Sequence, residues 1–119
     1  MSSTLRIISR IQLLLAFLNK YYRGDREYID MRTKILFALD HAPHETINII
    51  TDYFKIHRPL LLAIKQKDSD KIKEYVGNNY ENDFSSAIKK SVDLFDNLSD
   101  SEKNLLLSKL ENIVVLFKI

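Results

Sequence analysis

Apolar residues recur along this chain at alternating steps of three and four, interrupted at a few polar junctions, and that rhythm predicts helices nearly throughout. From Thr4 to Tyr22 the residues Ile7, Ile11, Leu14, Leu18 and Tyr21 form one continuous seam, and Leu5, Ile8, Leu15 and Tyr22 form a second beside it. Two seams are more apolar surface than one neighbouring helix covers, so part of this helix is expected to meet another chain. Gly24-Asp25 breaks the pattern. A second helix then runs from Arg26 or Asp30 to His41, with Tyr28, Met31, Ile35 and Leu39 on one stripe. It stops before Pro43, because a proline pushes the preceding residue, here Ala42, out of the α region.

The stretch from Thr46 to Lys67 reads as two short helices joined by a tight turn at Lys55. Ile50, Phe54, Ile56, Leu61 and Ile64 stand where a helix-turn-helix buries its inner face. Thr46 suits the cap of the first helix and Pro59 the first turn of the second, while Thr51 occupies the point of closest approach. Downstream, Asp68-Ser69-Asp70 opens a short helix carrying Ile72, Tyr75 and Val76 and ended by Gly77-Asn78-Asn79, with a strand over Ile72 to Val76 as the alternative. Between Asn82 and Asn97, Phe84, Ile88, Val92 and Phe95 recur at helical spacing. Ser99 and Glu102 then form an S-x-x-E capping box that starts the last helix, over residues 99–118. Its seam is Leu106, Leu110, Ile113 and Phe117, and Leu105, Leu107, Val114 and Leu116 widen it. This helix too carries surplus apolar surface.

Composition narrows the picture to one all-α domain over residues 1–119. The chain has 119 residues, only two glycines and two prolines, and no cysteine, which removes disulfides, thiolate metal sites and a thiol nucleophile together. Arg6 and Arg10 ahead of Leu13 to Leu18 have the outline of a secretory leader, but the run is short and no small-x-small cleavage site follows. No stretch approaches the roughly 20 apolar residues of a membrane span, and a cytoplasmic protein is expected. His41, His44 and His57 with Asp40 are zinc-ligand types, yet Pro43 separates the first two histidines and nothing resembles H-E-x-x-H, so no metal is assigned. No glycine-rich phosphate loop, G-x-S-x-G or carboxylate pair points to catalysis or a cofactor. Tyr21, Tyr22, Tyr28, Tyr53, Tyr75 and Tyr80 read as edges of the core ahead of a ligand crevice.

The segments ILFALDHAPHETINIITDYFKIHRPLLLAIKQ, Ile35 to Gln66, and LSDSEKNLLLSKL, Leu98 to Leu110, resemble the MarR and SarA-like winged helix-turn-helix regulators. The resemblance implies a homodimer on double-stranded DNA. Helices over residues 4–22 and 99–118 would knit the protomers through Ile7, Ile11, Leu14, Leu18, Leu106, Leu110, Ile113 and Phe117. The helix-turn-helix, about residues 46–67, would enter the major groove. Lys55, His57, Arg58, Lys65 and Lys67 are the candidate DNA contacts, with Lys71 and Lys73 nearby, and Arg58 is the candidate for reading a guanine edge. Between Lys67 and Phe84 there is no arginine and no pair of alternating strands, so the family's wing is expected to be shortened, helical or absent. Leu60, Leu62 and Ala63 offer no hydrogen-bonding group to a base. The alternative is therefore a helical bundle that inhibits or captures another protein, such as a toxin-immunity protein or an antirepressor, and the exposure of Leu60 and Leu62 discriminates between the two.

Overall fold

Most helices of the chain begin where a side chain or a proline satisfies the first turn. The computed structural model describes residues 3–77 and 82–117. Within them lie α1 (Ser3–Asn19), α2 (Arg26–His41), α3 (Pro43–Ile56), α4 (Arg58–Lys65), α5 (Ser69–Val76), α6 (Asp83–Leu94) with a single 3-10 turn, and α7 (Asp100–Val114), and no strand is present among the described residues. Asp25 accepts the Tyr28 N–H, Asp68 that of Lys71, and Ser99 that of Glu102. Asn82 and Ser85 cap each other reciprocally at the start of α6. Caps of this kind stabilise a helix by about 1 kcal/mol each.

Two boundaries differ from the sequence expectation, the start of α3 and the turn that follows it, and the first differs because Pro43 starts a helix. Its fixed φ suits the first turn, so α3 begins there and not at Thr46, whose hydroxyl donates 2.7 Å to the Ala42 carbonyl inside the helix. Helix α3 then continues through Lys55, and the turn falls at His57. Carrying the helix on rotates Ile56 outward, to 71% exposure, while Ile50, Phe54, Leu61 and Ile64 are buried. Pro59 lies in the first turn of α4. The segment after Lys67, where a wing would stand, is helical over α5. Residues 78–81, with the Asn78-Asn79 turn and Tyr80, lie outside the described residues, as does residue 118 at the end of the last helix.

Helix α1 packs against α7, α3, α2 and α6, and this explains where its surplus apolar surface goes. Ile7, Ile11, Leu14 and Leu18 share one core with Leu106, Leu110, Ile113 and Phe117, all eight buried within a single chain. The seams assigned to a dimer interface therefore meet each other, and none of these residues is available to a second protomer. Phe54, fully buried, brings α3 into the same core by meeting Phe84 and Phe117 edge-on at ring distances of 5.9 and 5.8 Å.

Polar ties fix the α1–α2 corner. The Tyr28 hydroxyl donates to the Leu15 carbonyl at 2.5 Å and that of Tyr22 to the Lys90 carbonyl at 2.5 Å, with the two rings stacked at 5.3 Å. Burial, reinforced by the carboxylates of Asp93, Asp25 and Glu27, pushes the Tyr22 phenol up to about 12.

Because Leu14 and Ile113 have no exposed surface, Leu14→Asp and Ile113→Asp should unfold the monomer by burying an unpaired charge, where Leu13→Asp, 56% exposed, should not. Urea titration followed by circular dichroism reads this, and a folded Ile113→Asp protein would contradict it. The folded Tyr22 phenol holds its proton more tightly than the unfolded chain does, so the stability it adds is complete below about pH 10 and lost as pH rises toward about 12. Tyr22→Phe should flatten the alkaline limb of a stability-against-pH curve, and an unchanged limb would refute that assignment.

Candidate functional site

The α3–α4 corner scatters the five candidate DNA contacts. His57 is the turn residue, its N–H donating to the Tyr53 carbonyl and its own carbonyl accepting from Leu60 and Leu61. Its imidazole is 6% exposed, sits 2.7 Å from the Tyr75 hydroxyl and packs on the Tyr53 ring at 4.5 Å. A side chain held between two tyrosines cannot reach a groove, so His57 is structural. The spacing of four between Tyr53 and His57 was the available sign, since such pairs stack on a helix.

Lys67 closes α4. The Asp68 N–H donates to Ala63 and the Lys67 N–H to Ile64, the double bond pattern of a Schellman ending, with Lys67 in the left-handed region at φ 53°. Its ammonium reaches 3.7 Å from the Glu111 carboxylate. Lys55, Arg58 and Lys65 are exposed and engage no acidic side chain among the described residues. Leu60, Leu61, Ala63 and Ile64 are sealed against the bundle, where α4 packs on α5 and α7, while Leu62 stands 47% exposed between Arg58 and Lys65. The two leucines thus divide: one is core, and the other occupies the centre of the only face α4 could present.

The outward face of α1 is a different kind of surface. Leu5, Ser9, Gln12, Leu13 and Ala16 are all exposed and carry no charge. On one side, a cavity of about 450 Å³ runs between α1 and α2, lined by Gln12, Leu15, Ala16, Asn19, Arg32 and Leu36. The Arg32 guanidinium is held there by the Asn19 side-chain oxygen and lies over the Tyr28 ring. On the other side a smaller groove of about 160 Å³ separates α1 from α7, lined by Arg10, Leu13, Lys109 and Asn112, with Arg10 donating 2.5 Å to the Asn112 carbonyl. Leu105 is exposed on the adjoining face of α7. The seam Ile7, Ile11, Leu14 and Leu18, expected at a dimer interface, is internal, and of the second seam Leu5 remains exposed, on the face opposite the core.

Other clusters have partners of their own. The cleft between α2 and α6 holds Glu27, Asp30, Lys34, Asp83 and Lys90, and Lys90 lies 3.5 Å from Glu27 and 3.9 Å from Asp25. His41 stacks on Phe37 and lies 3.5 Å from Asp40, and no three metal-ligating side chains gather among the described residues. The five described tyrosines do not line one crevice, since Tyr21 bonds the Glu102 carboxylate, Tyr22 pairs with Tyr28, and Tyr53 and Tyr75 flank His57. No described helix is long and apolar enough to cross a membrane.

Glycine adopts the left-handed conformation without the steric cost lysine bears, and an exposed ion pair contributes little. Lys67→Gly should therefore raise the free energy of unfolding by about 0.5–1 kcal/mol, read as a higher urea midpoint, and a lowered midpoint would show that the Glu111 pair outweighs the backbone.

Compared with protein-family models, with curated proteins and with solved structures, the chain matches none.

Proposed function

We propose that this chain acts by binding another protein, through the outward face of α1 and the grooves that flank it. The observation that carries this reading is the uncharged exposed line Leu5, Ser9, Gln12, Leu13 and Ala16 in a chain where 29% of residues are charged. Protein interfaces are depleted of charge at their centre and polar at their rim, and this face has that arrangement, with Arg6, Arg10 and Lys20 around it. Shallow concave strips on both sides of a helix also suit the side chains of a partner helix better than a flat surface would. The absence of a strand in the described part of the wing region and the burial of His57 favour this reading over a groove-reading helix.

DNA binding by a helix-turn-helix regulator is the second reading, supported by Lys55, Arg58 and Lys65, whose charges no acidic side chain among the described residues neutralises. It places Leu62 against base edges, where an aliphatic side chain offers no donor or acceptor. A homodimer would have to form through surfaces other than the α1–α7 seam.

Two measurements separate these readings. A photo-crosslinking residue at Gln12, in the cell of origin, should trap a protein that the same residue at Lys65 does not, and equal trapping at both positions would remove the α1 face from consideration. In a duplex titration at low salt the chain should show no binding that Arg58→Ala and Lys65→Ala weaken. Binding with a steep logarithmic salt dependence, lost in those variants, would establish the DNA reading instead.

A further inference from the structure

The charges around the α1 face are mostly of one sign. No aspartate or glutamate precedes Asp25, while Arg6, Arg10, Lys20 and Arg23 all do. Arg32 lies at one end of the α1–α2 cavity, and Arg10 and Lys109 line the α1–α7 groove. Two carboxylates stand nearest this face and keep their charge: that of Glu102, which accepts from Tyr21 and Ser99, and that of Asp40, 3.5 Å from the His41 imidazole. Cations on the rim outnumber these carboxylates. Lys20 and Lys109 lie over the Phe17 ring, 5.5 and 5.9 Å from its centre, and Lys20 also acts on a carboxylate, that of Glu102. The face is thus an uncharged centre with a predominantly positive rim, Arg6, Arg10, Lys20, Arg32 and Lys109 against Glu102 and Asp40.

Resting on the protein-binding reading above, we propose that the occupant of this face is an acidic amphipathic helix, an aliphatic stripe flanked by Asp and Glu, seated along the α1–α2 cavity. Its aliphatic side chains lie on Ala16 and Leu36, above the buried Leu15. Small Ala16 and Ser9 let the backbone approach closely, the Gln12 and Asn19 amides take polar groups at the margin, and carboxylates on either flank meet Arg6, Lys20 and Arg32. Charge complementarity excludes the nearest rival, a second copy of the same face, because two such surfaces would bring Arg6 and Lys20 against like charges. An anionic lipid surface shares the charge but not the shape: Ser9 and Gln12 would put polar groups where an inserted helix needs apolar ones.

A displayed library of randomised helical peptides, selected against the full chain, tests this. The enriched pool should carry Asp and Glu flanking aliphatic residues at helical spacing, and Ala16→Glu, at an exposed position, should weaken the winning peptides at least ten-fold without shifting the unfolding midpoint. Selection against the Arg6→Glu, Lys20→Glu double variant should invert the preference to Lys and Arg. A wild-type pool with basic or neutral flanks that Ala16→Glu still abolishes would overturn the acidic occupant and leave the protein-binding face standing. A pool indifferent to Ala16→Glu would overturn both. Binding to vesicles of phosphatidylglycerol and phosphatidylcholine in equal parts, lost in the Ala16→Glu variant, would assign the face to a lipid surface and end the proposal.

Discussion

The closure of α1 on α7 is the constraint on which the rest of the molecule depends. Leu14, Leu18, Leu106 and Ile113 are removed from water almost completely, and at roughly 25 cal/mol per Å² of apolar area such a contact outweighs any single polar tie in the fold. Because the two ends of the chain are clamped in this way, α2, α3 and α6 pack around α1 as around a post, and α4 and α5 fill the side of the bundle next to α6 and α7. The clamp also determines what is left outside. A helix with one side committed to α7 and the core has one side remaining, and on α1 that remainder is the uncharged line from Leu5 to Ala16.

The corner at His57 follows from the same economy of burial. A one-residue turn between two helices leaves little room for a side chain, and the imidazole fits by lying between Tyr53 and Tyr75 with its Nδ1 at hydrogen-bond distance from a hydroxyl. That arrangement turns Leu60 and Leu61 inward together and leaves Arg58, Leu62 and Lys65 facing out. Four of the residues of this short helix are committed to the core, and its outer face is limited to Arg58, Pro59, Leu62 and Lys65. Its basic outer residues are displayed by the fold on either side of the exposed Leu62.

The helices were legible from periodicity, and so was the all-α class, because a stripe repeated over several turns leaves few alternatives. The cap at Ser99 could be read from two residues, and the one at Asp68 from one. Less visible were the start of α3, where Pro43 acts as an initiator and not as a stop, and the reciprocal cap of Asn82 and Ser85, which lacks the glutamate that makes such boxes recognisable. Partner choice was the least legible. The seams of the first and last helices are apolar enough for an interface, but a stripe records only that it must be covered, not whether the cover comes from the same chain. Loop closure decides this: once intervening helices bring the ends together, the intramolecular contact has an effective concentration that a second protomer does not match.

That distinction also explains why the open surface escaped a reading based on hydrophobicity. On the proposed protein-binding reading, a face that must remain soluble before its partner arrives cannot be as apolar as one buried during folding, and Ser9, Gln12 and Ala16 among Leu5 and Leu13 meet both demands. Small and amide side chains exclude charge without exposing a continuous apolar patch, and the surrounding arginines and lysines would oppose the approach of a second copy of the same face. An interface of the proposed kind would draw its selectivity from its rim. A partner of matching sign would be repelled before its apolar residues engage, and one of opposite sign would reach the centre, where close packing against Ala16 and Leu36 would set how long it stays.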